Sequence, residues 1–330
     1  MKSRIRKHLG PLVLLSVLCA SRSQAQDKGP ETTPTYRNSL TVTSENDNYT
    51  LQFHDRYYTN GLMIRYSRAI MPRAGRRAYK KVWSAELGHQ IFTPYDISRS
   101  YRTTLDRPYT GLLTAKGGVT TVSAKENVFR WEAMAGVIGA AARGAQVQRN
   151  YHKSLNLIEP LGWETGLGTD WALNAQAAWY QHLVKPRAVP KSFDGYFNAQ
   201  AQVGTTYTRV SGGFLFRAGA LQNAGESAWW DAHLGTASGK GAKRNYELFF
   251  YFEPTLTWQA YNATVQGGLF TKDQDPYTTD IQPFYYRHNF GVMFTHKHLT
   301  GQLGFTYKTK EARTMITHEN YGTIALGYRF

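Results

Sequence analysis

Trp171-Ala172-Leu173-Asn174-Ala175-Gln176-Ala177-Ala178-Trp179 is the stretch whose pattern decides the fold. In an extended chain, successive side chains point to opposite faces. Trp171, Leu173, Ala175, Ala177 and Trp179 then share one face, and Asn174 and Gln176 lie on the other. The same period recurs outward from this segment. Phe197, Ala199, Ala201 and Val203 alternate with Asn198, Gln200 and Gln202. Leu62, Ile64 and Tyr66 repeat it, as do Trp83, Ala85 and Leu87, then Phe290, Val292 and Phe294, then Leu303, Phe305 and Tyr307. An apolar face set against an amide-bearing face suits a strand standing between lipid and a polar lumen. A soluble β-sandwich alternates too; the amides on the inner face and the N-terminal segment described below favour the barrel. The end of the chain agrees. Ile324, Leu326, Tyr328 and Phe330 alternate with Thr323, Ala325, Gly327 and Arg329. An aromatic final residue on the apolar face of a last strand is similar to the signal read by the outer-membrane barrel assembly machinery.

Composition narrows the class. The 330 residues include 22 Tyr, 16 Phe, 8 Trp and 30 Gly, with mean hydropathy -0.48. So many aromatics argue against a disordered chain. No run approaches the roughly 20 apolar residues of a spanning helix. Residues 1–25 read as a secretory signal: Lys2, Arg4, Arg6 and Lys7, then an apolar core from Leu12 to Leu18, then Ser23-Gln24-Ala25 at a cleavage site. Cleavage removes Cys19, the chain's single cysteine, so the mature protein is expected to carry no disulfide or thiol chemistry. Five of the 39 basic residues and none of the 23 acidic ones leave with it, so the net +16 becomes +11. A secreted basic chain has little access to nucleic acid. Outside a bacterial cell the abundant polyanion is lipopolysaccharide, although a solvated basic surface explains the charge equally well.

Residues 26–37 read as a flexible arm and 38–330 as one domain. At about 25 residues per strand and connection, the mature chain makes about twelve strands. The expected fold class is therefore all-β, a transmembrane antiparallel β-barrel of about twelve strands in the bacterial outer membrane. A barrel of this size can be filled by side chains.

No G-x-S-x-G, H-E-x-x-H, Walker or G-x-G-x-x-G pattern is present. Polar residues instead concentrate in four places. Ser44-Glu45-Asn46-Asp47-Asn48 and Asp55-Arg56-Tyr57-Tyr58-Thr59-Asn60-Gly61 hold oxygen donors suited to Ca2+ or, equally, to turns. Gln146-Val147-Gln148-Arg149-Asn150-Tyr151-His152 puts Gln148 and His152 on one face of a helix, where His152 is either a general base or an ordinary polar partner. Thr93-Pro94-Tyr95-Asp96 and Asp106-Arg107-Pro108-Tyr109-Thr110-Gly111 flank Arg99 and Arg102, candidates for a substrate phosphate or plain solvated loop residues.

In order through the first half of the chain, these pieces resemble the outer-membrane lipid A 3′-O-deacylase family. They are Glu45-Asn46-Asp47, the 55–61 segment, Thr93-Pro94, the 106–111 segment, Gly139 with Gly144, and Gln148-x-x-x-His152. The second half is similar only as generic barrel. The resemblance implies a Ca2+-dependent hydrolysis that removes the 3′-linked acyloxyacyl group from lipid A, by a monomeric enzyme. It makes His152 the base that activates water, Asn46 and Asp47 the metal site, Asn46 and Thr59 active-site amide and hydroxyl, and Gln148 the helix neighbour of the base. The chain departs from the family at Ile158, where the family has an active-site Glu, and Glu159 is the candidate to replace it. It departs also at Arg149 for Asn, and at Glu164-Thr165-Gly166 after Trp163 for a Gln-rich stretch. Other readings are a phospholipase-type esterase and a non-catalytic channel or adhesin.

Overall fold

The computed structural model describes residues 36–51, 55–70, 80–99, 105–184, 191–235, 245–271 and 275–330. The signal segment and the arm up to residue 35 lie outside them. Twelve strands close into one antiparallel barrel in which each strand pairs with its sequence neighbours and β1 with β12. They are β1 (Asn38–Asn46), β2 (Tyr57–Ile70), β3 (Lys80–Thr93), β4 (Thr110–Val122), β5 (Val128–Ile138), β6 (Asp170–His182), β7 (Lys191–Gly204), β8 (Tyr207–Leu221), β9 (Tyr246–Asn262), β10 (Phe284–His296), β11 (Leu299–Lys308) and β12 (Glu319–Arg329). Among the described residues no helix is long and apolar enough to cross a membrane.

The period-two reading holds strand by strand. On β6, Trp171, Leu173 and Trp179 are exposed while Asn174, Ala178 and Tyr180 are buried. On β7, Phe197 and Val203 face out and Asn198 faces in. On β12, Ile324, Leu326 and Tyr328 face out. Closure leaves no free edge, which is the condition for a sheet to lie in lipid. Ser39 stands opposite Arg329 and Asn46 opposite Gly322. The seam extends past the strand ends, since the Phe330 carbonyl accepts from the Arg37 and Asn38 amides at 3.1 and 2.9 Å. The last two residues of the expected arm are thus anchored. Arg37 is hydrogen-bonded at the seam, and Tyr36 accepts from the Gly235 amide and lies under the Arg329 guanidinium.

The lumen is filled from the end where β1 begins and β12 stops. After β8 the chain turns inward over residues 222–235 before β9 begins. Ala228, Trp230, Ala232 and Leu234 are buried there. The Trp230 ring packs edge-on against Tyr180 and Tyr196. Glu247 accepts from the Ala228 amide and the Ser227 hydroxyl, each at 2.9 Å. Asp231 reaches across to accept from Ser67 on β2 at 2.9 Å. This inner segment leaves a polar cavity of about 390 Å³, lined by Glu45, Arg65, Glu86, Arg130, Asp231 and His233 among others. At the opposite end, the connections β1–β2, β3–β4, β5–β6, β9–β10 and β11–β12 form the rim. Long connections mark the external side of such barrels.

Candidate active site at the outer rim

The site begins where β1 stops. Asn46 is extended, and its side-chain oxygen accepts from the Asn48 amide at 2.8 Å, capping a single 3-10 turn over Asp47–Thr50. That turn draws Asp47 into the structure, where it is 3% exposed. One Asp47 oxygen, Oδ2, accepts from the Arg56 amide at 2.7 Å and from the Thr59 hydroxyl at 3.0 Å. The other, Oδ1, is buried with no hydrogen-bond partner among the described residues. Burial, and after it the neighbouring Asp55 carboxylate, pushes the Asp47 carboxyl well above its ordinary value. Two carboxylates and an orphaned oxygen in one place are short of positive charge.

Thr59 reaches this spot because β2 carries a bulge. Tyr58 pairs with Phe92 and Asn60 with Ile91, so Thr59 is the extra residue. Tyr58 points into the lumen, where its hydroxyl donates to Glu45. A bulge breaks the strict in-out alternation and re-aims one side chain. The Thr59 hydroxyl lies between two carboxylates, Asp47 at 3.0 Å and Asp55 at 3.2 Å.

The third element is α1 (Gly144–Leu155), which ends at Asn156 in the left-handed region. Gln148 and His152, one turn apart, are its buried face. The His152 Nε2 lies 2.8 Å from Asp55 Oδ2, and Nδ1 lies against the Ile158 carbonyl. A carbonyl can only accept, so Nδ1 carries a proton and Nε2 is the nitrogen turned to Asp55. Gln148 Oε1 accepts from the Trp163 indole at 2.8 Å, while its Nε2 is buried without a partner among the described residues.

α1 lies on the outside of the barrel. Outward positions on β3 and β4 include the exposed Leu87 and Leu113, so His89 and Gly111, two residues further along, also face out. The His89 Nε2 contacts the Ala142 carbonyl at 2.8 Å, and Gly111 meets Gly144 backbone to backbone. The carboxylates and the imidazole are thereby clamped between helix and wall, facing the outer leaflet rather than the lumen.

The structure therefore brings Asn46, Asp47, Thr59, Gln148 and His152 together. It leaves Glu159 exposed, with no contact to His152 among the described residues; at the position of the family Glu, a backbone carbonyl, that of Ile158, holds the ring. Arg99 is exposed and paired with Asp96 at 2.8 Å, and Arg102 lies outside the described residues. The 106–111 segment is a bracket. Asp106 accepts from Tyr57 at 2.7 Å and from the Tyr95 amide at 2.8 Å, and the buried Arg107 pairs with Glu311 at 2.8 Å. Asp55 joins this cluster without having been singled out as a site residue from the sequence. It stood inside a quoted oxygen-rich segment, but its meeting with His152 needs the folded β5–β6 connection. A second group of potential metal donors, Glu126, His182 and Asp194, lies at the opposite end. There the protein's own cations fill the place: Lys191 is 2.6 Å from Glu126 and Arg217 is 2.7 Å from Asp194.

Residues 12–330 match the family model described as "Outer membrane protein LpxR". Among solved structures, LpxR from Salmonella typhimurium superposes with TM-score 0.69 at 19% identity, covering 88% of this chain and 100% of that one. At that identity the likeness is one of fold. The beta domain of the Bordetella autotransporter BrkA superposes with TM-score 0.41 at 12% identity, covering 90% and 99% of the two chains. No curated protein matches.

Proposed function

This chain belongs to the LpxR family of outer membrane proteins, and from that premise we propose that it is a hydrolase of the outer membrane that removes the 3′-linked acyl group from lipid A. The observation that carries the reading is the outward-facing cluster of Asp47, Asp55, Thr59 and His152, with one buried Asp47 oxygen left without a partner.

The donor set fits Ca2+, a hard cation that takes oxygen ligands. Asp47 and Asn46 would hold it, with the Asp55 carboxylate beside them. Bound there, Ca2+ supplies a Lewis acid that polarises an ester carbonyl. The remaining work falls to the chain's own side chains. The Ile158 carbonyl keeps a proton on Nδ1 of His152, so the ring presents Nε2 to its surroundings. From there Nε2 takes a proton from the attacking water. Water adds to the carbonyl carbon, the bond to the sugar oxygen breaks, and the proton held by His152 passes to that oxygen. The products are a fatty acid and the 3′-hydroxyl. The unpaired Gln148 Nε2, on the same buried helix face as His152, is a donor that suits the developing oxyanion. The packed inner segment after β8 speaks against a channel. Insertion by the barrel assembly machinery and action as a monomer complete the proposal.

The test is expression in a host of known lipid A structure, with lipid A read by mass spectrometry. Loss of the 3′ acyl mass is expected, abolished by His152→Ala and by Ca2+ chelation. An unchanged profile beside a folded barrel would reject the substrate.

A further inference from the structure

α1 presents three faces. The buried one carries Gly144, Gln148 and His152. Beside it, at i, i+4 and i+8, Val147, Tyr151 and Leu155 form an apolar stripe that is exposed throughout. On the far side stand Arg149 and Lys153, exposed, with no ion pair among the described residues. Two further apolar residues are bared on neighbouring connections, Leu51, 75% exposed after the β1–β2 turn, and Ile158, 69% exposed just past the helix. Apolar side chains bared to this extent on ordered backbone call for a partner other than water.

Resting on the function proposed above, we infer that this stripe seats the acyl chain of the lipid being cleaved, with Tyr151 the binding contact nearest the scissile ester. Three observations carry the inference. First, the stripe lies beside the lipid-facing wall, because the start of α1 is seated on outward Gly111 and the turn before it on outward His89, and the next outward residues are the exposed Leu113 and Leu87. Second, Tyr151 is the member of the stripe nearest the chemistry. Its ring lies 6.1 Å from that of His152, and its phenol is pushed upward by burial and, after Tyr49, by the Asp55 and Asp47 carboxylates. Third, the helix is amphiphilic in the sense an anionic lipid needs, with an apolar side for the chain and Arg149 and Lys153 for phosphate. A chain lying along Val147 and Leu155 brings its ester end past Tyr151 to the imidazole.

Photo-crosslinking tests this in the full-length His152→Ala protein, which does not turn substrate over. The probes are lipid A with a diazirine in its 3′ acyl chain and phosphatidylethanolamine with the same diazirine, each in liposomes. The expected result is labelling of Val147, Tyr151, Leu155 or Leu51 by the lipid A probe, and of the wall at Leu87 and Leu113 by the phospholipid. Equal labelling of α1 by both probes, or none by lipid A, would overturn the inference. In the active protein, Tyr151→Ser is expected to raise KM for lipid A by ~10-fold, the loss of about one well-buried aromatic contact, with kcat nearly unchanged. A fall in kcat at constant KM would mean that Tyr151 acts on the reaction step and does not seat the chain, and would also overturn it. If the wild type leaves lipid A intact, the function proposal fails, whereas the crosslinking result still reads the docking surface by itself.

Discussion

Placing a side chain on Gly111 should disable the site without unfolding the barrel. A Cβ built there meets the Gly144 amide nitrogen at 3.0 Å, Ala142 Cβ at 3.1 Å and Gly144 Cα at 3.2 Å. Two are backbone atoms of Gly144, the first residue of α1, and cannot rotate away; the third belongs to the turn just before the helix. Nor can the helix retreat freely, because a Cβ on Gly144 would lie 2.7 Å from the Trp163 ring. Alanine at 111 therefore requires a shift of a few tenths of an ångström. Leucine adds three further carbons and must lift the helix start by about 1 Å or more. His152 sits two turns along the same rigid helix, so the tilt reaches its contact with Asp55. Misplacement by about 1 Å costs about 100-fold in rate. Gly111→Ala should thus lose less than ~10-fold, and Gly111→Leu ~100-fold or more. The assay is the initial rate of 3′ acyl release from lipid A in detergent micelles, read by mass spectrometry. Heat-modifiable gel mobility checks the barrel, and it should not change because Gly111 faces outward and keeps its pairing with Ile91. Gly111→Leu at the wild-type rate would refute the argument that helix and wall jointly build the site.

Three further outcomes are expected. Glu159→Ala should keep full activity, since Glu159 is exposed and the Ile158 carbonyl holds His152; a loss of ~100-fold or more by the same mass-spectrometric assay would restore Glu159 to the site. Deleting residues 224–235 should create conductance in planar bilayers where the intact protein shows none, because Trp230 and its neighbours pack the lumen; a conducting wild type would contradict that. At the rim, burial pushes Glu311 upward, but the Lys308 ammonium and the Arg107 guanidinium outweigh it and hold the carboxyl below its ordinary range. A carboxyl depressed on folding adds stability that is complete above the unfolded value of about 4.3 and is lost as pH falls below it. Glu311→Gln should therefore lower Tm at pH 7, with the gap to wild type closing below about pH 4.3; a gap independent of pH would remove the ion pair as its cause.

The barrel was legible because alternation is local. Trp171, Leu173 and Trp179 lie outside and Asn174 inside for the reason the sequence itself displays, namely that an extended chain has period two and lipid tolerates no amide. Gln148 and His152 were legible as a pair for the same kind of reason, being one helical turn apart. Asn46, Asp47 and Thr59 were found through ordered motifs, not through geometry. Other features were out of reach. The bulge that turns Thr59 toward Asp47 is set by the pairing of β2 with β3, and nothing in the 55–61 segment announces it. The inward fold of residues 222–235 looks in sequence like one more connection, and its place depends on Arg217, Glu247 and Asp194 meeting across strands.

What the sequence by itself determined was the strand period, the polar segments and the helix carrying the imidazole, because each depends on residues within a few positions of one another. Tertiary structure alone decided that Asp55 faces His152, that a backbone carbonyl takes the place of a family carboxylate, and that the site lies on the outer wall. The first joins segments about a hundred residues apart and the last joins β4 to α1, so both are set only when the barrel closes and two glycines let α1 lie against it; the second is a short-range contact that the turn after α1 makes.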